Sequence, residues 1–262
     1  VLFEAAINNF LDVCKWVCSI YGTNFNVIHM FKEASQCGCL EILKWLYTTF
    51  NVMKSNNIRY DVYNAFYKAA AGGHLEILVW LYETFDLTKE GVLSFRNYDV
   101  ERAFQVASKK GRLEVLKWLY TTFNVINNIK YDVHNAFYVA AARGYLEILV
   151  WLYETFNLTK EDALSRDNYY GSQGAFQVAS EKGRLEVLKW LHSTFKLTKE
   201  DAIMAGNQAF RWATREGHLV VCKWLYETFD LKEDIKDSNF LTLPAETQKY
   251  DVLKWLIEIY EN

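Results

Sequence analysis

From Leu75 to Phe85 the apolar positions Leu75, Leu78, Leu81, Tyr82 and Phe85 return at helical spacing, and Ile77 and Trp80 broaden the stripe. A face this wide predicts a helix packed between two neighbours. The surrounding phrase, complete at Ala69 to Phe85 as AAAGGHLEILVWLYETF, recurs around Trp16, Trp45, Trp80, Trp118, Trp151, Trp190, Trp224 and Trp255. By subtraction, successive tryptophans lie 29, 35, 38, 33, 39, 34 and 31 residues apart. Periods of this length predict stacked helix-turn-helix units, each unable to bury its apolar face alone.

Each tryptophan sets a register. Seven residues before it stands Gly38, Gly73, Gly111, Gly144, Gly183 or Gly217, with Asn9 and Gln248 in the outer repeats. Glycine, and asparagine at some cost, adopts the left-handed backbone that ends one helix and reverses the chain, so this slot predicts the turn. Eleven before it stands alanine (Ala5, Ala34, Ala69, Ala107, Ala140, Ala179, Ala213), small enough for two helices to approach closely, and Pro244 in the last repeat. Fourteen before it comes a ring (Phe31, Phe66, Phe104, Phe137, Phe176, Phe210), and five after it another (Tyr21, Phe50, Phe85, Phe123, Phe156, Phe195, Phe229, Tyr260). Both helices of a repeat thus carry apolar anchors. Glu41, Glu76, Glu114, Glu147 and Glu186 fall in the second helix's first turn, where the exposed amide ends favour a carboxylate, and read as scaffold.

The pattern A-A-x-x-G-H-L-E-x-x-x-W-L resembles the core of the ankyrin repeat and covers essentially all 262 residues. The resemblance implies an all-α, right-handed α-solenoid of about eight ankyrin-like helix-turn-helix repeats, with short extra helices or long loops between them. The whole chain, 1–262, reads as a single repeat domain. The family usually opens its repeats with Thr-Pro-Leu-His, whereas these open with Asn-Ala-Phe (Asn64, Asn135) or Gln-Ala-Phe (Gln208), which puts the usual β-hairpin finger in doubt. The resemblance also implies a hydrogen-bonding role in the hairpin for His74 and His218. The string W-L-x-x-T-F-x-L-T-K-E-D-A is similar to the divergent ankyrin arrays of large DNA viruses and of amoebae.

Between repeats, Leu158 to Leu164 predicts a short extra helix with Thr159 as N-cap and Asp162 closing a capping box; Leu87 to Glu90 and Leu197 to Ala202 repeat the theme. NNIRYDVYNAF at Asn56 and NNIKYDVHNAF at Asn127 differ by an offset of 71, so repeats duplicated in pairs. Val1 to Tyr21 begins inside a first helix, from which a longer chain is expected, and Leu241 to Tyr260 reads as a degenerate capping repeat.

The 29 basic and 32 acidic residues nearly cancel, leaving no basic field for a nucleic-acid backbone. Lys or Glu interrupts every apolar stretch before the ~18 residues that a membrane span needs. An intracellular, cytoplasmic monomer is expected, in host cytoplasm or virion if the source is viral. Cys14, Cys18, Cys37 and Cys39 give the spacing C-x3-C and C-x-C that a four-thiolate zinc site can have. The register argues instead for core filling, because Cys14 and Cys222 take a slot that is leucine elsewhere. No nucleophile elbow, phosphate loop, H-E-x-x-H helix or dinucleotide fingerprint is present, so neither enzyme activity nor a cofactor is expected.

Binding of a protein partner is the expected function. In ankyrin-like arrays the first helices and the segments before them line the concave face, and the slots eight and nine before each tryptophan vary most. From the fourth repeat to the seventh this row is weighted to basic residues: Lys109, Lys110, Arg143, Lys182 and Arg215, with Arg211 and the non-repeat Trp212 beside it. Tryptophan and arginine favour interface hot spots, so an acidic partner anchored on Trp212 is one reading; packing of Trp212 on a neighbouring first helix is the other. Tyr60, Tyr98, Tyr131, Tyr169 and Tyr170 either seal the extra helices or form a rim. The alternatives to a scaffold are a structural or assembly component, for example of a virion, and the targeting module of a longer protein such as a ubiquitin-ligase adaptor.

Overall fold

Left-handed backbone appears at every turn slot that the register marks. In the computed structural model, which describes residues 1–22, 25–50, 57–87, 97–123, 129–164, 174–235 and 239–261, φ is positive at Asn9, Gly38, Gly73, Gly111, Gly144, Gly183, Gly217 and Gln248. The amide after each turn residue bonds back to the carbonyl of the small slot, as in His74 to Ala69 at 3.0 Å, Arg184 to Ala179 at 2.8 Å and Lys249 to Pro244 at 2.7 Å. These carbonyls would otherwise be orphans at the helix end, so one geometry both caps a helix and starts the next.

The described residues are all-helical, with no strand among them. The chain divides into two compact halves, Val1–Asp132 and Val133–Asn262. In the N-terminal half, hairpins form from α1 (Leu2–Ile7) and α2 (Leu11–Tyr21), α3 (Val27–Cys37) and α4 (Leu40–Phe50), α5 (Ile58–Gly72) and α6 (Leu75–Thr84), and α7 (Asn97–Lys110) and α8 (Leu113–Phe123). First helices pack on first helices (α1 on α3, α3 on α5, α5 on α7), and second on second in α6 on α8. α9 (Ile129–Arg143) crosses the division. The C-terminal half continues with α10 (Leu146–Phe156), α11 (Lys160–Leu164), α12 (Ala175–Glu181), α13 (Leu185–Phe195), α14 (Lys199–Glu216), α15 (Leu219–Thr228), α16 (Asn239–Glu246) and α17 (Tyr250–Tyr260). There α12 packs on α14, α14 on α16, and α15 on α17.

The core pins are the phenylalanines fourteen before each tryptophan: Phe31, Phe66 and Phe176 are fully buried, Phe137 and Phe210 nearly so. The slot three before each tryptophan (Ile42, Ile77, Val115, Ile148, Val187, Val221, Val252) is at most 2% exposed in the seven later repeats. The tryptophans themselves are half-buried, and Trp16 is 59% exposed.

The short extra helix forms at α11 with its capping box: the Thr159 amide and hydroxyl donate to Asp162 Oδ2 at 2.7 and 3.0 Å. At Leu197 to Ala202 the expectation of a separate helix fails. The same box, Thr198 on Asp201, opens α14 instead, and the helix runs unbroken for 18 residues through the first-helix slot. No glycine or proline terminates it early; Gly206 alone costs less than a break. Leu87 stands at the edge of the third such segment, whose Thr88 to Glu90 lie outside the described residues.

Candidate interaction face

Within each half, and apart from the first two hairpins, successive hairpins meet through a cluster of rings, most often a quartet. Phe31 and Tyr47 meet Trp80 and Phe85, with centroids 6.2, 6.4, 5.8 and 5.4 Å apart. Phe66 and Tyr82 meet Trp118 and Phe123 in the same way at 6.1, 6.2, 5.9 and 5.5 Å. In the C-terminal half Phe137 and Tyr153 take Trp190 and Phe195, His192 takes Trp224 and Phe229 beside Phe176, and Phe210 and Tyr226 take Trp255. Most are edge-on pairs, the arrangement that the ring quadrupole favours. The tyrosine two after the tryptophan (Tyr47, Tyr82, Tyr153, Tyr226), replaced by His192 in the sixth repeat, is a further member of this joint that recurs in the sequence.

A second tie runs along the turns. In five repeats the residue after the turn glycine reaches back to the carbonyl nine before the preceding tryptophan, among them Cys39 Sγ to Ile7 at 3.6 Å, Arg112 Nε to Ala71 at 3.2 Å and Arg184 Nε to Ala142 at 3.1 Å. His74 Nε2 lies 2.9 Å from the Gln36 carbonyl, and His218 Nε2 2.8 Å from that of Glu181, so in each ring Nε2 must carry the proton. The histidines therefore hydrogen-bond across hairpins. Their rings also cover the preceding turn, where a Cβ on Gly38 would come within 2.6 Å of His74.

These two ties fix where the nominated row lies. Lys109 and Lys110 end α7 in the N-terminal half; Arg143 ends α9, Lys182 caps α12, and Arg215 stands in the last turn of α14, all exposed at the turns. In the C-terminal half carboxylates interleave with the cations. Lys182 Nζ lies 2.6 Å from Glu181, and Arg215 Nε 4.0 Å from Glu216. The hydrogen bond that Lys182 donates to Glu181, with the fields of Glu181, Glu216 and Tyr138, outweighs burial and raises the Lys182 pKa. Counting Arg143, Lys182 and Arg215 against Glu181 and Glu216 leaves 3 − 2 = +1, so the strip is mixed rather than strongly basic.

Rings and cations also meet on the first helices. Arg215 lies 5.0 Å over the half-buried Trp212, and Arg211 5.3 Å over the buried Phe240 of α16. Trp212 thus combines an apolar body with a cation lid from its own helix and keeps an accessible side. In the N-terminal half Arg102 of α7 stands 5.9 Å from both Tyr63 and Tyr67 of α5. Lys32 of α3 lies 5.4 Å over Tyr60 and pairs with Asp61 at 2.7 Å. Lys68 bonds Glu33 at 2.6 Å and Gln36 at 2.9 Å. Tyr63, Tyr67 and Arg102 fall outside the repeating slots, and their signal in the sequence is the spacing of the two tyrosines, four residues apart on α5, with the arginine one first helix further on. Tyr60 is 62% exposed, as a rim residue would be. The side chains of Tyr98 and Tyr131, and the whole of Tyr169 and Tyr170, lie outside the described residues.

A third set of contacts ties the segments between repeats. Lys160 pairs with Asp201 at 2.6 Å, Lys199 with Asp234 at 2.7 Å, and His134 with Asp162 at 2.9 Å. The cysteines are free thiols: Cys14, Cys39 and Cys222 are buried, Cys18 half-buried and Cys37 exposed. Among the described residues no group of three or more His, Cys, Asp or Glu could hold a metal ion, and no helix is long and apolar enough to cross a membrane. No protein-family model and no curated protein sequence matches the chain.

Proposed function

We propose that the protein is a non-catalytic protein-binding scaffold, an ankyrin-like solenoid of about eight repeats that engages its partner through the first helices and the turns before the second helices. What carries the reading is the separation of roles among the rings: the quartets sit between hairpins, while Tyr60, Tyr63, Tyr67 and Trp212 lie under cations on the first helices. Rings topped by arginine combine contact area, polarity and a hydrogen-bonding fork, as interface hot spots do. The partner is an acidic protein that meets Lys109 and Lys110 on the N-terminal half and, taken separately, Arg143, Lys182, Arg211 and Arg215 on the C-terminal half, where Glu181 and Glu216 limit how acidic the docked segment can be.

Affinity capture with mass spectrometry identifies the partner, and binding kinetics then test the face. Charge reversal at Lys110 and Arg143 should slow association and weaken its salt dependence, because opposite potentials act chiefly on encounter. Trp212→Ala should speed dissociation by roughly thirtyfold, the equivalent of a ~2 kcal/mol hot spot. Unchanged kinetics in both folded variants would move the interface off this face.

A further inference from the structure

The outer face of α2 leaves open apolar slots whose counterparts in the later repeats are buried or half-buried. Val13 occupies the slot three before the tryptophan. Its seven counterparts are at most 2% exposed, and Val13 is 40% exposed. Trp16 is 59% and Tyr21 76% exposed, whereas Phe85, Phe123, Phe195 and Phe229 in the Tyr21 slot are buried at 3, 6, 9 and 4%. Phe10 and Ile20 extend the same strip at 59 and 53%. These residues follow helical spacing along α2, and a contiguous apolar strip of this kind marks a contact surface.

We infer that this face is one more joint, and that it receives a helix hairpin of the same repeat type. The covered joints state what the occupant must offer. Its first helix brings a phenylalanine onto Trp16, as Phe66 does for Trp118, and its second helix brings a tyrosine onto Trp16 and Tyr21, as Tyr82 does for Trp118 and Phe123. The C-terminal end of a second copy fits this specification poorly. In the same two slots it carries Leu241 and Ile257, so neither slot brings a ring to Trp16.

The test joins residues 58–103 directly to Leu2, so that Leu2 takes the place of Phe104 and the added hairpin brings Phe66 and Tyr82 in register. Acrylamide quenching is compared with and without Trp16→Phe, which isolates the Trp16 contribution. The added hairpin should cut the Trp16 share of the quenching to that of a half-buried tryptophan and raise Tm, and Phe66→Ala with Tyr82→Ala in the added copy alone should restore quenching. Persistent quenching of Trp16 in the fusion would overturn the inference. So would a concentration-dependent dimer of the 262-residue chain in which Trp16 is already shielded, because the face would then belong to a second copy.

Discussion

At the scale of single residues, the largest ring is not the one that matters most. Tryptophan sets the register, yet Trp118 is half-buried, with one edge on Tyr82 and Phe123, while Phe66 is fully enclosed beneath it. Removing an enclosed phenylalanine deletes its transfer energy and leaves a cavity, which together cost about 3–5 kcal/mol. Phe66→Ala should therefore lower stability by that amount, Trp118→Ala by clearly less, and Trp16→Ala by no more than about 0.5 kcal/mol, as for an exposed substitution. Urea unfolding of the three variants checks the order. A Trp118 variant weaker than the Phe66 variant would mean that the quartet, and not the enclosed phenylalanine, supplies most of the packing. The sequence marks both positions equally well, since each recurs with the period. It does not say which is enclosed, because enclosure depends on the neighbouring hairpin at a distance of about forty residues.

At the scale of elements, the turns were the most legible part, for a steric reason. A left-handed backbone restricts the residue, so Gly, Asn or Gln in one slot, with a small residue four before it, specifies the reversal almost alone. The ion pairs were far less legible. Thr159 with Asp162 and Thr198 with Asp201 could be read as capping boxes, but nothing in one L-T-K-E-D segment indicates that its lysine reaches the aspartate of the next, as Lys160 does to Asp201. For the Asp201 carboxyl, burial works to raise its pKa, but Lys160 and the Thr198 amide and hydroxyl outweigh it and hold the group below its ordinary range. A carboxyl depressed in the folded state stabilises above its unfolded pKa, and that stabilisation is lost as pH falls through the folded one. The loss should therefore begin below pH ~4, the ordinary aspartate value. Asp201→Asn should lower Tm near neutrality and flatten the fall in Tm below that pH. A variant whose Tm follows the wild-type acid limb in parallel would show that the Asp201 pairing contributes nothing.

At the scale of the whole molecule, the joints are not equal, and their differences predict where the chain opens. In a chain whose hairpins touch mainly their neighbours, local stability follows the quality of each joint. The joint between the first two hairpins lacks the quartet: Leu2 and Cys18 stand where the next repeats have Phe31 and Tyr47, and Phe50 is met instead by Phe25 and by Trp45 of its own hairpin. α1 and α2 should therefore open more often than α14 and α15, which carry ring contacts on both sides. The thiols report this without added probes. The thiolate is the reactive form. Burial, with the fields of Cys18 and Cys39, pushes the Cys14 pKa up to about 11, and burial pushes that of Cys222 up to about 12. Both are closed to alkylation at pH 8 until their hairpin opens, while Cys37 is exposed. Iodoacetamide labelling followed by peptide mass spectrometry should modify Cys37 first. Cys14 should follow together with Cys39, whose Sγ bonds the α1 carbonyl of Ile7, and Cys222 should come last. Labelling of Cys222 as fast as Cys14 would mean that opening is set by something other than the rings between hairpins. Labelling of Cys14 without Cys39 would place the opening within α2 alone rather than at the joint.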